Sequence, residues 1–158
     1  MSNAYINTYT QIHIHFVFAV KFRKALIDRT WNEELHKYIT GIIQNKNHKM
    51  LVINTMPDHL HMLVGFRPHD SMSEVMKVVK EGSQDWINDK HCTHNKFKWQ
   101  ESFGAFSHTK SQVPGVIKYI LNQKQHHHKQ TFLEEYISIL DAFGIEYDKR
   151  YIFKELID

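Results

Sequence analysis

The sequence contains a single cysteine, Cys92, among its 158 residues, so no intrachain disulfide can form. It also lacks any apolar run near the roughly 20 residues that a membrane-spanning helix needs. The first residues, Met1 to Thr10, are polar and carry no apolar signal core. These absences argue against a secreted or membrane-embedded protein, and we expect a cytoplasmic one.

Proline and glycine are also scarce. Three prolines and six glycines leave no linker-like stretch, and the chain shows no internal repeat or low-complexity tract. Apolar residues make up 42% of the composition and aromatic residues 13%, which is enough for a packed core. We therefore predict one domain over residues 1–158.

The charge is distributed unevenly along the chain. The formal net charge is only +3, but residues 1–130 hold 17 Lys and Arg against 10 Asp and Glu, whereas residues 131–158 hold 3 against 7. A basic body followed by an acidic C-terminal extension favours a polyanionic partner for the body. A solvated surface with a chance asymmetry is the alternative interpretation.

The spacing of apolar residues predicts the order of the secondary-structure elements. Strands are predicted over residues 11–20, 50–56 and 59–66 and within 97–109, the last bent or split at Gly104. Helices are predicted over about 31–46, 72–88, 111–125 and 131–144. The order β-α-β-β-α-β with two additional C-terminal helices is typical of an α+β, ferredoxin-like fold, an antiparallel sheet with helices on one face.

The predicted helices carry recognisable start signals. A Ser or Thr followed three residues later by Glu forms a capping box, in which each side chain bonds the other residue's backbone N–H. Such boxes are predicted at Thr30–Glu33, Ser71–Glu74 and Thr131–Glu134. Ser111 is expected to cap the helix that contains Tyr119, with Pro114 tolerated in its first turn.

The most informative segment is Met56 to Val64, of sequence MPDHLHMLV. Because side chains alternate along a strand, His59 and His61 lie on one face while Leu60 points to the core. Two imidazoles fixed two residues apart on a strand can converge on one metal ion. The pattern therefore makes His59 and His61 candidate metal ligands.

A second histidine pair, His13 and His15, has the same spacing on another predicted strand. Spacing alone therefore does not select between the two pairs. The Pro57-Asp58 turn places His59 at the start of a strand near a sheet edge, where an ion and a substrate have access. His13 and His15 lie inside a longer apolar run, where we expect a packing role.

Two segments together resemble a known family. Met56 to Val64 resembles the HUH motif (histidine, hydrophobic residue, histidine) of the single-tyrosine transposases, which mobilise insertion sequences as single-stranded DNA. Val116 to His127 resembles the catalytic helix of that family, in which a glutamine follows the tyrosine by four residues. The similarity spans about residues 10–135, and two landmarks in this order are more specific than either alone.

The resemblance implies a mechanism for particular residues. Tyr119 would be the nucleophile, and Gln123, one helical turn away, would join His59 and His61 as ligands of Mg²⁺ or Mn²⁺. The tyrosine would attack a DNA phosphate and leave a 5′-phosphotyrosine with a free 3′-OH, from which a later 3′-OH can rejoin the strand. The sequence does not identify the base that accepts the tyrosine proton.

The resemblance also implies partners. Relatives are homodimers, some with active sites shared between subunits, and they recognise DNA hairpins near element ends in the cytoplasm, at the nucleoid, of a bacterial or archaeal cell. Lys21, Arg23 and Lys24 are candidate contacts to DNA phosphates, although a solvated basic loop is nearly as compatible. The adjacent residues His126 to His128 face three directions on a helix, and we interpret them as solvated or phosphate-contacting.

Three alternatives stay open. A non-catalytic nucleic-acid-binding module of the same fold would usually display aromatic residues on its central strands, where this chain shows histidines. A domesticated relative associated with repetitive extragenic palindromes would cleave DNA as a host protein with the same residues. A metal-dependent hydrolase would use His59 and His61 and leave Tyr119 incidental.

Overall fold

The computed structural model describes residues 8–158. The segment Met1 to Thr10, which carried the expectation about secretion, lies largely outside the described residues. The strands of the described part are β1 (His13–Ala19), β2 (Lys49–Met56), β3 (His59–Gly65) and β4 (Gly104–His108). Its α-helices are α1 (Asn32–Asn45), α2 (Met72–Asp89), α3 (Val113–Leu121), α4 (Gln123–His126) and α5 (Phe132–Ala142).

The four strands form one antiparallel sheet in the order β2-β3-β1-β4. This order confirms the predicted α+β, ferredoxin-like arrangement. It also shows that β3 is an inner strand, since His59 is paired with Met56 on one side and with Ala19 on the other. The expectation that His59 lies near a sheet edge is wrong, because this topology inserts the third strand between the first two.

The sheet has two different faces. Leu60, Met62 and Val64 are fully buried in the main core, to which α1 and α2 also contribute. The opposite face carries the histidines of β3, and there Ile120 of α3 packs on Leu63 in a smaller cluster. Helices therefore cover both faces of the sheet, with α1 and α2 on the core face and the additional C-terminal helices on the histidine face.

Two of the predicted capping boxes mark real helix starts. The Ser71 side chain accepts the backbone N–H of Glu74 at the start of α2, and a reciprocal box joins Thr131 and Glu134 at the start of α5. The box predicted at Thr30 is wrong, because the backbone N–H of Thr30 bonds Asp28 Oδ1 at 2.8 Å and α1 begins without a side-chain cap.

The start of the tyrosine-bearing helix also differs from the prediction. A 3₁₀ turn over Lys110–Gln112 precedes α3, and the capping box that closes this turn joins Thr109 to Gln112. Ser111 therefore lies inside the turn and does not cap the helix. Pro114 lies in the first turn of α3 as expected.

The glycine at the start of β4 has a packing reason. A Cβ added to Gly104 would lie 2.8 Å from ring atoms of Tyr136, which belongs to α5. Only glycine lets α5 lie this close to the sheet. Ahead of Gly104, Trp99 makes an isolated bridge to Val20, so the segment 97–109 is split where the sequence predicted.

The acidic C-terminal segment 131–158 packs against the rest of the chain. The rings of Phe132, Tyr136 and Phe153 pack together and are buried. The Gln100 side chain donates to the backbone carbonyl of Lys154 at 2.8 Å and accepts its N–H at 3.0 Å. These contacts hold α5 over the histidine face. That residues 1–158 form one domain stays a prediction.

No helix among the described residues is long and apolar enough to cross a membrane.

Candidate active site

The predicted histidine pair lies at the centre of the face covered by α3 and α5. His59 and His61 are both 0% exposed. Their Nε2 atoms face one carboxylate oxygen, Oε1 of Glu135, at 3.7 and 3.1 Å. The side-chain oxygen of Gln123 lies 3.1 Å from His59 Nε2. The fold thus brings the predicted pair and the predicted third ligand together, beneath a glutamate that was not predicted.

Asp58 orients the ring of His59. Its Oδ1 lies 2.6 Å from His59 Nδ1, so the imidazole donates there and turns its Nε2 toward the buried site. A carboxylate behind a histidine is the usual arrangement in metal sites, because it orients the ring and increases its basicity. Burial tends to raise the pKa of Asp58, but the hydrogen bond and charge of His59 outweigh it and lower that pKa.

His15 has the same position behind His61. His15 Nε2 lies 2.7 Å from His61 Nδ1, and the two rings stack with centroids 4.9 Å apart. Burial lowers the pKa of His61 to about 4, so this imidazole is neutral near pH 7. Burial and the neighbouring imidazoles of His61 and His108 hold the pKa of His15 well below its usual value. The expectation that His15 only packs is therefore incomplete.

Tyr119 reaches this site from the last turn of α3. Its hydroxyl donates to Glu135 Oε2, and its ring lies edge-on to His61 with centroids 6.0 Å apart. Burial, together with the hydrogen bond and charge of Glu135, raises the pKa of Tyr119 above its ordinary value. The tyrosine is therefore held as the protonated phenol.

Gln123 is positioned by a break in the helix. The sequence predicted one helix through Gln125, but α3 ends at Leu121 and α4 begins at Gln123. The break turns Gln123 inward until it is 0% exposed, and its Nε2 donates to Glu135 Oε2 at 3.0 Å. Leu121, the last residue of α3, is 58% exposed.

Glu135 is the residue that sequence reasoning missed. It is 1% exposed and contacts Tyr119, Gln123 and His61. Burial tends to raise its pKa, but hydrogen bonds from the surrounding imidazoles and phenol outweigh this and hold the pKa well below its usual range. A sequence signal existed, since Glu135 lies three residues after Phe132 and therefore on the apolar face of α5.

His127 also joins the site. Its Nε2 lies 3.1 Å from both Gln123 Oε1 and Glu135 Oε1. Burial lowers its pKa, but the hydrogen bond and charge of Glu135 outweigh this and raise the pKa above its ordinary value. His126 packs its ring on Tyr119 at 4.6 Å. The interpretation of these histidines as solvated is thus wrong for His127, because the short helix α4 turns it inward.

A cavity of about 430 Å³ opens beside Tyr119. Its lining is mainly apolar, and the residues that matter for access are His15, His108, Val116 and Phe143. His108 Nε2 is buried without a hydrogen-bond partner among the described residues. The cavity gives a ligand access to the phenol from the side away from His59.

The basic loop lies outside this cluster. Lys21 pairs with Glu101 at 3.4 Å and Arg23 with Asp158 at 3.3 Å, while Lys24 is exposed and makes no ion pair with a described residue. Pairs with such exposed partners contribute little and leave the cations free to exchange onto phosphates. Their role as DNA contacts stays a prediction.

The donor set fits a divalent cation. The ligand atoms of His59, His61 and Glu135 all lie within 4.8 Å of one another. Asp58 accepts the Nδ1 hydrogen of His59, and the Nε2 on the other side of the ring faces two oxygen atoms, Gln123 Oε1 at 3.1 Å and Glu135 Oε1 at 3.7 Å. Two imidazoles with carboxylate and amide oxygens are donors that divalent metal ions bind.

Comparison with known proteins identifies relatives of the chain. The model of the family described as IS200-like transposases matches residues 8–123. The ISDra2 transposase TnpA of Deinococcus radiodurans is 23% identical over 73 residues, which cover 46% of this chain and 52% of that protein. The aligned segment therefore spans about half the length of this curated relative.

Two solved structures share the fold. A crystal structure of a candidate transposase from Deinococcus radiodurans R1 has a TM-score of 0.59 at 19% identity, covering 78% of this chain and 98% of that one. A REP-associated tyrosine transposase bound to a REP hairpin has a TM-score of 0.58 at 17% identity, covering 80% and 74%.

Proposed function

The chain belongs to the family of IS200-like transposases, whose model matches more than two thirds of it, and we propose that it cuts and rejoins single-stranded DNA with Tyr119 as nucleophile. One observation carries this proposal. The Tyr119 hydroxyl and His61 Nε2 contact the two oxygens of the same buried carboxylate, Glu135. A phenol held beside paired imidazoles suits metal-assisted attack on a phosphate.

We propose that His59, His61 and Gln123 hold Mg²⁺ or Mn²⁺. When bound, such an ion polarises the scissile phosphate and stabilises the charge that develops on it. The protein positions its donors for this task, since the hydrogen bond to Asp58 orients the His59 ring and burial keeps His61 neutral.

In the proposed reaction, Tyr119 Oη attacks the phosphorus and the bond from phosphorus to the 3′ oxygen breaks. The products are a 5′-phosphotyrosine and a strand that ends in a free 3′-OH. The phenolic proton would leave through its hydrogen bond to Glu135 Oε2 and pass on to water, because the low pKa of that carboxyl does not retain it. The departing 3′ oxygen would take up a proton from water. Attack by a 3′-OH on the phosphotyrosine then rejoins DNA and releases Tyr119.

We further propose that the DNA carries a hairpin, as in the REP-associated structural relative. The excess of positive charge in residues 1–130 supports a polyanionic ligand. Lys21, Arg23 and Lys24 would contact its phosphates, and the cavity beside Tyr119 would admit the single strand. Because the proposed substrate is DNA, the reaction would take place in the cytoplasm, where the chromosome is.

The active site is proposed to form within one chain. Tyr119 contacts the same carboxylate as His61 of its own chain, so a partner's tyrosine is not needed to complete it. Homodimerisation stays a proposal from the family resemblance, and light scattering after gel filtration tests it.

Covalent trapping tests the proposed function. The protein is incubated with a fluorescent hairpin oligonucleotide carrying single-stranded flanks, with Mg²⁺ or Mn²⁺, and then run on a denaturing gel. We expect a DNA adduct with wild type that Tyr119→Phe abolishes and His59→Ala greatly reduces. Absence of an adduct with wild type across a panel of flanking sequences, or its persistence in Tyr119→Phe, contradicts the mechanism.

A further inference from the structure

We propose that Glu135 is itself a ligand of the divalent ion, and that it links this ion to the nucleophile. Its Oε1 joins the histidine pair, while its Oε2 holds the Tyr119 hydroxyl. The inference rests on the proposed function for the presence of an ion. It adds an anionic ligand from the C-terminal helix to the set of His59, His61 and Gln123.

Distances between the donor atoms support this assignment. Adjacent ligands of an octahedral ion with bonds of about 2.1 Å lie about 3 Å apart. His61 Nε2 lies 3.1 Å from Glu135 Oε1, and His59 Nε2 lies 3.1 Å from Gln123 Oε1. The longer separation of 3.7 Å from His59 Nε2 to Glu135 Oε1 stays within the range that one ion can span.

The charge of the site supports it as well. Histidine and glutamine are neutral ligands, and a buried carboxylate among them needs a compensating cation. Among the described residues, the side chains that pair with Glu135 at 3.1–3.7 Å are all imidazoles, and no Lys or Arg side chain pairs with it. A bound divalent ion would supply the permanent positive charge that these partners lack.

The two oxygens of the carboxylate face different groups. Oε1 lies beside His61 and His127, whereas Oε2 accepts hydrogens from Tyr119 and Gln123. A ligand on Oε1 therefore leaves the hydrogen bond to Tyr119 in place. Because both oxygens belong to one rigid carboxylate, an ion bound to Oε1 and the phenol bound to Oε2 would be held in a fixed relative position.

The helix that carries Glu135 is firmly seated. Phe132 stacks on the ring of His59 with centroids 4.2 Å apart, and Tyr136 lies against Gly104 of β4. Glu135 itself lies beyond residues 8–123, the segment that the family model matches. The ligand is thus supplied by a part of this chain outside the matched segment.

A rival role is that of a plug. Glu135 could occupy the place of the scissile phosphate and keep the site closed until α5 moves. The two roles differ in their metal dependence, because a ligand strengthens binding of the ion and a plug does not. They also predict opposite effects of neutralising Glu135 on DNA cleavage.

Titration with Mn²⁺ separates these roles. Protein stripped with EDTA and desalted is titrated without DNA, and free Mn²⁺ is followed by electron paramagnetic resonance. Glu135→Gln, which keeps the shape of the side chain, should weaken binding about tenfold or more, by comparison with the effect of outer-shell partners. Asp141→Asn also replaces a carboxylate by its amide, but at an exposed position of α5. It should bind Mn²⁺ like wild type.

A second variant keeps the test decisive if Glu135→Gln folds poorly, as judged by circular dichroism in EDTA. Glu135→Asp retains the charge but withdraws the oxygens by one methylene, and it should bind Mn²⁺ more weakly than wild type with an altered spectrum. Wild-type affinity in both variants would overturn the proposal, and faster adduct formation by Glu135→Gln at that affinity would identify the plug.

Failure of this proposal and failure of the proposed function give different results. Loss of Mn²⁺ affinity in Glu135→Gln supports the ligand even if wild type forms no DNA adduct. If wild type forms an adduct through Tyr119 but Mn²⁺ affinity does not depend on Glu135, the result supports Tyr119 as the nucleophile. It then overturns the proposal that Glu135 is a metal ligand.

Discussion

The hydroxyl of Tyr119 donates a hydrogen bond to the carboxylate of Glu135. Tyr119 lies within residues 8–123, the segment that the family model matches, and Glu135 lies beyond it. Tyr119 lies in α3 and Glu135 in α5, and the short helix α4 between them supplies Gln123 to the same carboxylate. The site therefore depends on how the C-terminal segment packs, as well as on the motif residues.

Removing the carboxylate behind His59 should weaken metal binding. Asp58→Asn can no longer hold the Nδ1 proton as a carboxylate does, so we expect Mn²⁺ affinity to fall about 10- to 100-fold. The measurement is the Mn²⁺ titration described above. Asp85→Asn, an exposed change on α2, is the control, and equal affinity in both variants would show that Asp58 does not orient the imidazole.

The two histidines of β1 should behave differently. His15→Phe keeps a ring beside His61 but loses its 2.7 Å hydrogen bond, so we expect lower Mn²⁺ affinity and a shifted ¹⁵N resonance of His61 Nδ1. His13→Phe is the matched control. His13 lies on the same strand, two residues before His15, and its Nδ1 has no hydrogen-bond partner among the described residues. A His61 spectrum unchanged by His15→Phe would refute this role.

Enlarging Gly104 should displace α5 from the sheet. In Gly104→Ala the new Cβ would meet Tyr136 at 2.8 Å, and overpacking of this kind costs about 1–3 kcal/mol of unfolding free energy. Urea unfolding measures the cost. Gly41→Ala meets nothing within 4 Å in α1 and should instead stabilise by about 0.5–1 kcal/mol. Equal stability of the two variants would exclude the proposed crowding.

Acid should destabilise the protein partly through His61. Burial lowers the pKa of this residue from 6.5 to about 4, so between these values the unfolded chain binds a proton that the folded chain does not. Stability should therefore fall as the pH drops from about 6.5 to about 4, and level off below that for this group. His61→Asn in EDTA should show a shallower slope over this window, and an unchanged slope would contradict the assignment.

Local patterns predicted the parts of the site that lie close together in the sequence. Alternation along β3 predicted that His59 and His61 share a face, and helical spacing predicted that Tyr119 and Gln123 are neighbours, although α3 ends and α4 begins between them. Both predictions need only the backbone geometry of a short stretch of chain. The metal-binding and catalytic roles of these residues stay predictions.

The remaining contacts depend on packing between distant elements. His15 meets His61 only because β1 pairs with β3, and Glu135 meets His61 only because α5 folds back over the sheet. Glu135 also looks like its neighbour Glu134, which is exposed and closes a capping box. The apolar face that Glu135 shares with Phe132 and Tyr136 was the signal that distinguishes the two glutamates.

Mapping the covalent bond by mass spectrometry tests the central claim most directly. Wild-type protein is trapped on a hairpin oligonucleotide with Mn²⁺, digested with nuclease and protease, and searched for a nucleotide-bearing peptide. We predict a 5′-linked nucleotide on Tyr119 and a free 3′-OH on the released strand. A nucleotide on another residue, or cleavage of the strand without any covalent peptide, would contradict the proposed mechanism.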